Sequence, residues 1–375
     1  MTHHDAGHGA GRHARHDAGH GVRVEPEWGR TGGGEPVARW VLDDGTVRVG
    51  LVEHGARIQS VLAPDRDGAR ADVALGFGAL EPYEAKGRSF GATIGRFANR
   101  IAGGTFTLDG RTSSIPVTDR GNAIHGGSHP YSERLWTAHE VPGACGVRFS
   151  LLSPDGDEGF PGALSVHVQY VLAGGVLVVE TSATTDAPTV LNLTNHAYWN
   201  LAGEGSGTVE AHLLQVDAAA FLPVDPTGVP TGERRPVAGT PFDFTEPVPV
   251  GYRLRDGEQA GDEQLQRGSG FDHCFVLADV PGGEREPSRA ARVEEPVSGR
   301  TLEVWTDQPG LQVFSGGTLA GTLTGKAGAV YGPRTGLALE AQAFPDAPNH
   351  PGFPSTVLRE GDEFRSVTEF RFGVS

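Results

Sequence analysis

The sequence predicts an all-β protein, a large antiparallel β-sandwich, on three observations. First, β-type runs are separated by turn dipeptides, and both Asp44-Gly45 and Asp109-Gly110 are typical of hairpins. Second, apolar and polar residues alternate along residues 165–173, and Gly174-Gly175 supplies a turn before the next run. Third, the 56 Gly and 26 Pro are spread along the chain, and long amphipathic helical stretches are missing. Many short strands joined by turns favour a sandwich.

In chain order, residues 1–22 carry six of the 15 histidines and almost no apolar side chains. Such a segment buries too little surface to offset its conformational entropy, so we expect a disordered tail without a dedicated metal site. Residues 23–375 are expected to form a single β-sandwich domain. Within it, residues 79–85 suggest one short helical turn, residues 221–245 and 256–269 suggest loop-like insertions, and residues 301–314 and 368–373 suggest strands.

The composition limits the classes of partner. Asp and Glu number 47 against 31 Lys and Arg, a formal net charge of −16, which disfavours nucleic acid and anionic membranes. No apolar run approaches the length of a membrane span, and the N-terminus lacks the apolar core of a secretion signal, so a cytoplasmic protein is expected. The two cysteines, Cys145 and Cys274, are expected to be free thiols. Monomer and homodimer both stay open.

The stretch Leu191–Gly203, LNLTNHAYWNLAG, is the most distinctive. As a single strand it would place Thr194, His196, Tyr198 and Asn200 on one face, about 6–7 Å apart. That spacing suits a small polyhydroxylated ring, and histidine exchanges protons near neutral pH. A half-buried strand with a merely hydrogen-bonded histidine is the alternative.

Two polar clusters precede this stretch. Asn99 and Arg100 stand before a Gly-Gly loop, where an arginine could bind hydroxyl groups or a carboxylate or form a surface salt bridge. His125 is followed by two glycines, which allow backbone to approach a ligand closely, although histidines in turns are common. A metal site made of His125 and His129 is disfavoured because a third ligand at suitable spacing is not evident.

Two more clusters follow it. In the segment GFDHCF, a strand would direct Asp272 and His273 to opposite faces, and Cys274 is expected to be a core thiol. Along LALEAQAF, Glu340 is the one charged residue in an otherwise uncharged run. An isolated carboxylate in an apolar strand is costly unless it is paired or used in chemistry.

Other reaction templates fit the sequence poorly. It contains no Walker loop and no H-E-x-x-H helix. A glycosidase needs two carboxylates at a defined separation, and a pairing of Glu340 with Asp272 remains open on the sequence alone.

Taken together, GRFANRI, NAIHGG, LNLTNHAYWNLAG, GFDHCF, QPGLQVFSGG and LALEAQAFPDAPNHPGFPSTVLREGDEF resemble the aldose 1-epimerase (galactose mutarotase) family. The resemblance covers nearly all of the chain from about residue 24 and implies the large sandwich of that family. It departs from the usual family pattern at FSGG after Val313 and at Cys274, where the family often has asparagine.

The resemblance implies a cofactor-free reaction on a free hexose such as galactose or glucose, with no metal. By this resemblance, Glu340 is expected to remove the proton of the C1 hydroxyl and His196 is expected to protonate the ring oxygen. A neighbouring carboxylate such as Asp272 is expected to keep His196 protonated. The sugar contacts that the resemblance implies are Asn99, Arg100, His125, Tyr198, Asp272 and Gln312.

Two other functions stay open at this stage. An epimerase for a phosphorylated hexose would want a more cationic pocket than Arg100 and Arg96 provide. A sugar-binding sandwich without turnover would not need both Glu340 and His196, because binding alone does not require an acid–base pair.

Overall fold

The structure is a computed structural model that describes residues 21–278, 283 and 285–375. Residues 1–20, most of the expected tail, lie outside this part of the chain, and residues 21 and 22 already belong to the first strand, Gly21–Arg30. Antiparallel strands make up most of the regular structure, which confirms the all-β prediction. No helix of the described residues has the length and apolar composition needed to cross a membrane.

Most strands belong to three larger antiparallel sheets. The five-stranded sheet contains Gly21–Arg30, Pro36–Asp43, Arg48–Val52, Arg57–Pro64 and Arg70–Asp72 in that order. The nine-stranded sheet has the order Thr137–Glu140, Gly146–Ser153, Leu164–Ala173, Val176–Thr185, Glu363–Val374, Arg300–Thr306, Ser288–Glu294, Leu213–Val216 and Val248–Pro249. The six-stranded sheet has the order Tyr198–Trp199, Leu337–Gln342, Gly310–Phe314, Asp272–Val276, Ala220–Leu222 and Arg235–Pro236.

Short strand pairs and helices connect these sheets. The pairs are Arg100–Ile101 with Ala123–Ile124, Thr105–Leu108 with Arg111–Ser114, Thr189–Val190 with Val357–Leu358, Thr194–Asn195 with Thr93–Ile94, and Leu323–Thr324 with Val330–Tyr331. The α-helices of the described residues are Glu81–Ala85, Val250–Ala260 and Glu263–Gly268, and the 3₁₀ turns are Ala102–Gly104, Tyr131–Glu133, Asp157–Gly159 and Ala347–Asn349.

One hydrophobic core joins the three larger sheets. Trp40 of the five-stranded sheet, Val168 of the nine-stranded sheet and Leu339 of the six-stranded sheet are buried in the same cluster. The alternation predicted for residues 165–173 is confirmed, because buried and half-buried residues alternate along Leu164–Ala173. Burial of one face of each sheet against a shared core is the arrangement expected of a sandwich.

The predicted hairpins and the short helical turn are confirmed. Loops containing Asp44-Gly45, Asp109-Gly110 and Gly174-Gly175 each join two paired antiparallel strands. The turn predicted for residues 79–85 is the helix Glu81–Ala85. Residues 301–314 and 368–373 do form strands, although the first range is split between the nine-stranded and six-stranded sheets.

The prediction of one continuous strand over Leu191–Gly203 is wrong. The segment forms two-residue strands, Thr194–Asn195 and Tyr198–Trp199, that pair with different partners. Asn195 Oδ1 accepts a hydrogen bond from the Ala197 N–H at 3.1 Å, a side-chain turn that competes with the sheet ladder. The extended alternation is therefore interrupted at the histidine.

The prediction of a loop over residues 256–269 is also wrong. Helices occupy Val250–Ala260 and Glu263–Gly268, and the Asp262 carboxylate caps the second by accepting the N–H groups of Gln264 and Leu265. Leu254 and Leu265 are buried in the core. Their tertiary packing stabilises two helices that the polar composition of this segment did not predict.

Candidate active site

A cavity of about 480 Å³ opens over the face of the six-stranded sheet that points away from the shared core. Its floor is made by four side chains from neighbouring strands: Tyr198, Glu340, Phe314 and Asp272. The register of the strands explains why these side chains share one face. Ala338 pairs with Tyr198 on one neighbouring strand and with Phe314 on the other, and Phe314 pairs with Asp272. Glu340 follows Ala338 by two residues and therefore points to the same face. Directly opposed residues in antiparallel strands point to the same face.

Glu340 belongs to the Leu337–Gln342 strand. Leu337 and Leu339 face the core, whereas Glu340 lines the cavity and is only 2% exposed. Burial raises the pKa of Glu340 well above its ordinary value; the charge of Asp272 raises it further, and the charge of Arg100 opposes the shift. Within the described residues, Oε2 of Glu340 has no hydrogen-bond partner. A buried carboxyl group with a free oxygen and a raised pKa is suited to proton exchange with a ligand.

His196 lies next to Glu340 in the cavity. Its Nε2 is 3.6 Å from Oε1 of Glu340, and its ring centroid is 4.9 Å from that of Tyr198 and 5.5 Å from that of His125. The backbone N–H of His196 donates to Ala92 O at 2.9 Å, which fixes the chain at this point. Burial lowers the pKa of His196 to about 4.

The shifts of the two groups are complementary. Burial favours the uncharged form of each, so the pair holds one proton over the pH range between the lowered pKa of His196 and the raised pKa of Glu340. That proton can reside on the carboxyl group or on the imidazole without changing the net charge of the pair.

The expected pairing of Asp272 with His196 is wrong, because the carboxylate at ion-pair distance from the imidazole is Glu340. Asp272 accepts a hydrogen bond from Nε2 of Gln312 at 2.7 Å, and its charge acts on the pKa of Glu340. As predicted, Asp272 and the buried His273 point to different sides of their strand: His273 Nε2 lies 3.2 Å from Oε1 of Gln264, away from the cavity.

Asn99 and His125 support each other on one wall of the cavity. The His125 N–H donates to Asn99 O at 3.0 Å, and the Asn99 N–H donates to Nδ1 of His125 at 3.2 Å. Because Nδ1 accepts this hydrogen bond, the hydrogen of neutral His125 is on Nε2, which is then a donor. Burial lowers the pKa of His125 well below its ordinary value, and the neighbouring charge of His196 adds to the effect. His125 therefore offers a fixed donor.

The two glycines after His125 make room for other parts of the chain and not for a ligand. A Cβ atom on Gly126 would lie 2.1 Å from Gly95 O, and one on Gly127 would lie 2.4 Å from Oε2 of Glu158. The close approach that Gly-Gly permits is thus made to the chain itself. His129 is well exposed and lies 3.9 Å from Glu133, away from His125. The described residues contain no group of three or more His, Cys, Asp or Glu side chains that could hold a metal ion.

Arg100 presents a guanidinium group to the cavity. Its Nε donates to Oδ2 of Asp119 at 2.8 Å, and this is its only side-chain hydrogen bond within residues 21–278, 283 and 285–375. Both Nη groups are therefore available to a ligand, although the side chain is only 8% exposed.

Seven of the eight site residues expected from the sequence line this one cavity: Asn99, Arg100, His125, His196, Tyr198, Asp272 and Glu340. The eighth, Gln312, does not line it. Gln312 is buried directly opposite Glu340 in the strand register, on the same face of the sheet, and donates to Asp272, so it holds a cavity residue without lining the cavity itself.

Comparison with known proteins identifies the family of the chain. A family model described as aldose 1-epimerase matches residues 38–371. The galactose mutarotase of Homo sapiens is 44% identical over 343 residues, which cover 92% of this chain and 96% of that protein. The aldose 1-epimerase of Escherichia coli (strain K12) is 37% identical over 327 residues, covering 86% and 91% of the two chains. This chain belongs to the aldose 1-epimerase family.

Solved structures agree with this assignment. An aldose epimerase homologue from C. elegans superposes with a TM-score of 0.78 at 31% identity, covering 88% of this chain and 96% of that one. A galactose 1-epimerase from Lactobacillus acidophilus NCFM gives a TM-score of 0.80 at 27% identity, covering 94% and 99%. The predicted galactose mutarotase-like sandwich is thereby confirmed.

The sequence analysis missed several cavity residues of this epimerase-family chain. They are Ser89, Asp119, Arg120, Arg267, Phe314 and Thr318. Phe314 could have been found, because it follows Gln312 by two residues on one strand and so shares its face. Arg120 and Arg267 come from loop and helix ends, whose placement depends on packing far away in the chain.

Proposed function

We propose that this cavity interconverts the α and β anomers of free hexoses such as galactose and glucose, with Glu340 and His196 as its proton-transfer pair. The observation that carries the proposal is the meeting of these two buried side chains at 3.6 Å in one cavity. They are separated by many residues in the chain, and nothing in a simple core requires a carboxyl group and an imidazole to meet there.

The reaction needs one proton removed and one delivered. With the shared proton of the pair on His196, the Glu340 carboxylate takes the proton of the C1 hydroxyl while His196 donates its proton to the ring oxygen. The C1–O5 bond breaks, C1 becomes an aldehyde, and the pair again holds one proton, now on Glu340. Rotation about C1–C2 presents the other face of the carbonyl. In closure, His196 removes the proton from the C5 hydroxyl as its oxygen attacks C1, and Glu340 returns its proton to O1.

The neighbouring side chains bind the other hydroxyl groups in this proposal. Nε2–H of His125 and the Nη groups of Arg100 are donors, and the Asp272 carboxylate is an acceptor. Tyr198 and Phe314 offer ring faces and edges on the floor. Each donor or acceptor also holds the sugar with its anomeric carbon near the acid–base pair, and such positioning contributes to the rate.

A free hexose fits the cavity charge better than a sugar phosphate. Three arginines line the cavity, more than expected from the sequence, but two carboxylates paired with them offset part of their charge. Oδ2 of Asp119 accepts from Arg100 and Arg120, and Arg267 is paired with Glu263. With these cations already paired, a doubly charged phosphoryl group gains less than it would in an unneutralised site.

Polarimetry on freshly dissolved α-D-galactose and α-D-glucose tests this function. We expect both optical rotations to reach equilibrium faster than in buffer alone, in proportion to enzyme concentration. Acceleration only with a hexose 6-phosphate would favour the phosphorylated substrate. No acceleration with any of these sugars, together with saturable binding, would instead leave a sugar-binding protein without turnover.

A further inference from the structure

The loop that follows the Glu340 strand returns to the backbone of Arg100. Asp346 lies in this loop, six residues after Glu340, and is only 2% exposed. It is not among the residues that line the cavity, so it does not meet the sugar directly. Its contacts are instead with the segment that carries Arg100.

Two hydrogen bonds join Asp346 to the backbone of Arg100 and Ala102. The Asp346 N–H donates to Arg100 O at 2.9 Å, and Oδ1 of Asp346 accepts from the N–H of Ala102 at 2.9 Å. On its other edge, the Arg100–Ile101 strand pairs with Ala123–Ile124. Because that pairing is only two residues long, a second set of backbone contacts is needed to fix the orientation of this short strand.

The side chain of Asp346 is itself firmly held. Nδ2 of Asn349 donates to its Oδ1 at 2.6 Å, and Nε2 of His350 lies 3.3 Å from its Oδ2. The backbone of Asp346 has φ of 56°, a left-handed conformation that aspartate tolerates better than most residues. A buried carboxylate satisfied on both oxygens in this conformation is a rigid attachment point.

We infer that Asp346 is a positioning residue for sugar binding, acting through Arg100. It holds the Arg100 backbone so that the guanidinium, anchored at Nε by Asp119, directs its Nη groups into the cavity. This inference rests on the proposed function, because it assigns to Asp346 a part in binding the same sugar. Through Asp346, the loop after the Glu340 strand connects the strand that carries Glu340 to the segment that carries Arg100.

A double-mutant cycle with Asp346→Ala and Arg100→Ala tests this link, with KM for galactose as the readout. Arg100→Ala is expected to raise KM about 10- to 100-fold through loss of charged hydrogen bonds. Asp346→Ala is expected to raise KM about tenfold in the wild-type background and less than twofold when Arg100 is already alanine. Equal effects in both backgrounds would overturn the inference, because a general loss of structure does not depend on Arg100.

The conservative variant Asp346→Asn keeps an oxygen that accepts the Ala102 N–H but removes the charge beside His350. We expect its KM to stay within about threefold of the wild-type value. A KM raised tenfold or more over wild type would contradict the positioning role, and this comparison does not depend on whether the alanine variant folds. Asp67→Ala removes an exposed carboxylate and controls for the change in net charge. A wild-type protein without epimerase activity would refute the proposed function. If the wild type is active but the effects of Asp346→Ala and Arg100→Ala on KM simply multiply, only the role of Asp346 is refuted.

Discussion

Replacing Glu340 with glutamine is the sharpest perturbation that the structure suggests. Glutamine has nearly the same shape, so the buried site stays filled, but an amide does not accept a proton from the C1 hydroxyl near neutral pH. We expect kcat to fall by at least ~10², the lower end of general-base contributions, which corresponds to about 2.7 kcal/mol of transition-state stabilisation.

The fold should tolerate this change. Burial and the charge of Asp272 both disfavour the ionised form of Glu340, and its Oε2 has no hydrogen-bond partner within the described residues. Removing the carboxyl group therefore removes little favourable interaction, and the thermal midpoint should stay equal to or above that of the wild type. KM should change much less than kcat, since the other proposed sugar contacts remain.

The assay is the polarimetric rate on fresh α-D-galactose after subtraction of the spontaneous rate, with circular dichroism to confirm folding. Glu295→Gln is a matched control, because Glu295 is also buried but lies outside the cavity, where it accepts the N–H groups of Val297 and Ser298. The control should keep kcat within about twofold of wild type. A Glu340→Gln enzyme that turns over galactose within threefold of the wild-type rate would refute the assignment of the base.

Three further predictions follow from the same site and its supports. Asp272→Asn removes a charge that raises the pKa of Glu340, so the acidic limb of kcat/KM against pH should move to lower pH; an unmoved limb would contradict the coupling. Cys274→Ala should keep kcat within about twofold, because burial raises the pKa of this thiol and removes it from nucleophilic chemistry, and a loss above tenfold would show otherwise. Asn192→Ala should lower the free energy of unfolding in urea by about 2–4 kcal/mol, because the buried Asn192 amide bonds both the N–H and C=O of Ala343, and a loss below about 0.5 kcal/mol would argue against that support.

Local regularity explains which parts of the structure the sequence could predict. The Leu164–Ala173 hairpin strand and the face of Glu340 were found because alternation in an uninterrupted strand has a period of two and depends only on neighbours. His196 and Tyr198 were correctly grouped, but for an incomplete reason. Thr194 and Asn200 were predicted on the same face. Instead, Thr194 borders a small internal cavity, and Nδ2 of Asn200 donates to the backbone oxygen of Gly207.

The remaining differences come from contacts between distant parts of the chain. The carboxylate next to His196 is Glu340, because strand pairing and loop packing bring the two together, and no local pattern distinguishes it from Asp272. Arg120 and Arg267 line the cavity only because a turn and a helix end fold over it. Asp346 is the clearest case, since its bonds to Arg100 and Ala102 join residues more than 240 positions apart in the chain.

A crystal structure of the Glu340→Gln protein with bound galactose tests the central claim most directly. The account predicts that the side chain at position 340 lies within about 2.6–3.2 Å of the C1 hydroxyl and that Nε2 of His196 lies at a similar distance from the ring oxygen. Galactose bound with its anomeric carbon away from either side chain, or in another cavity altogether, would contradict it.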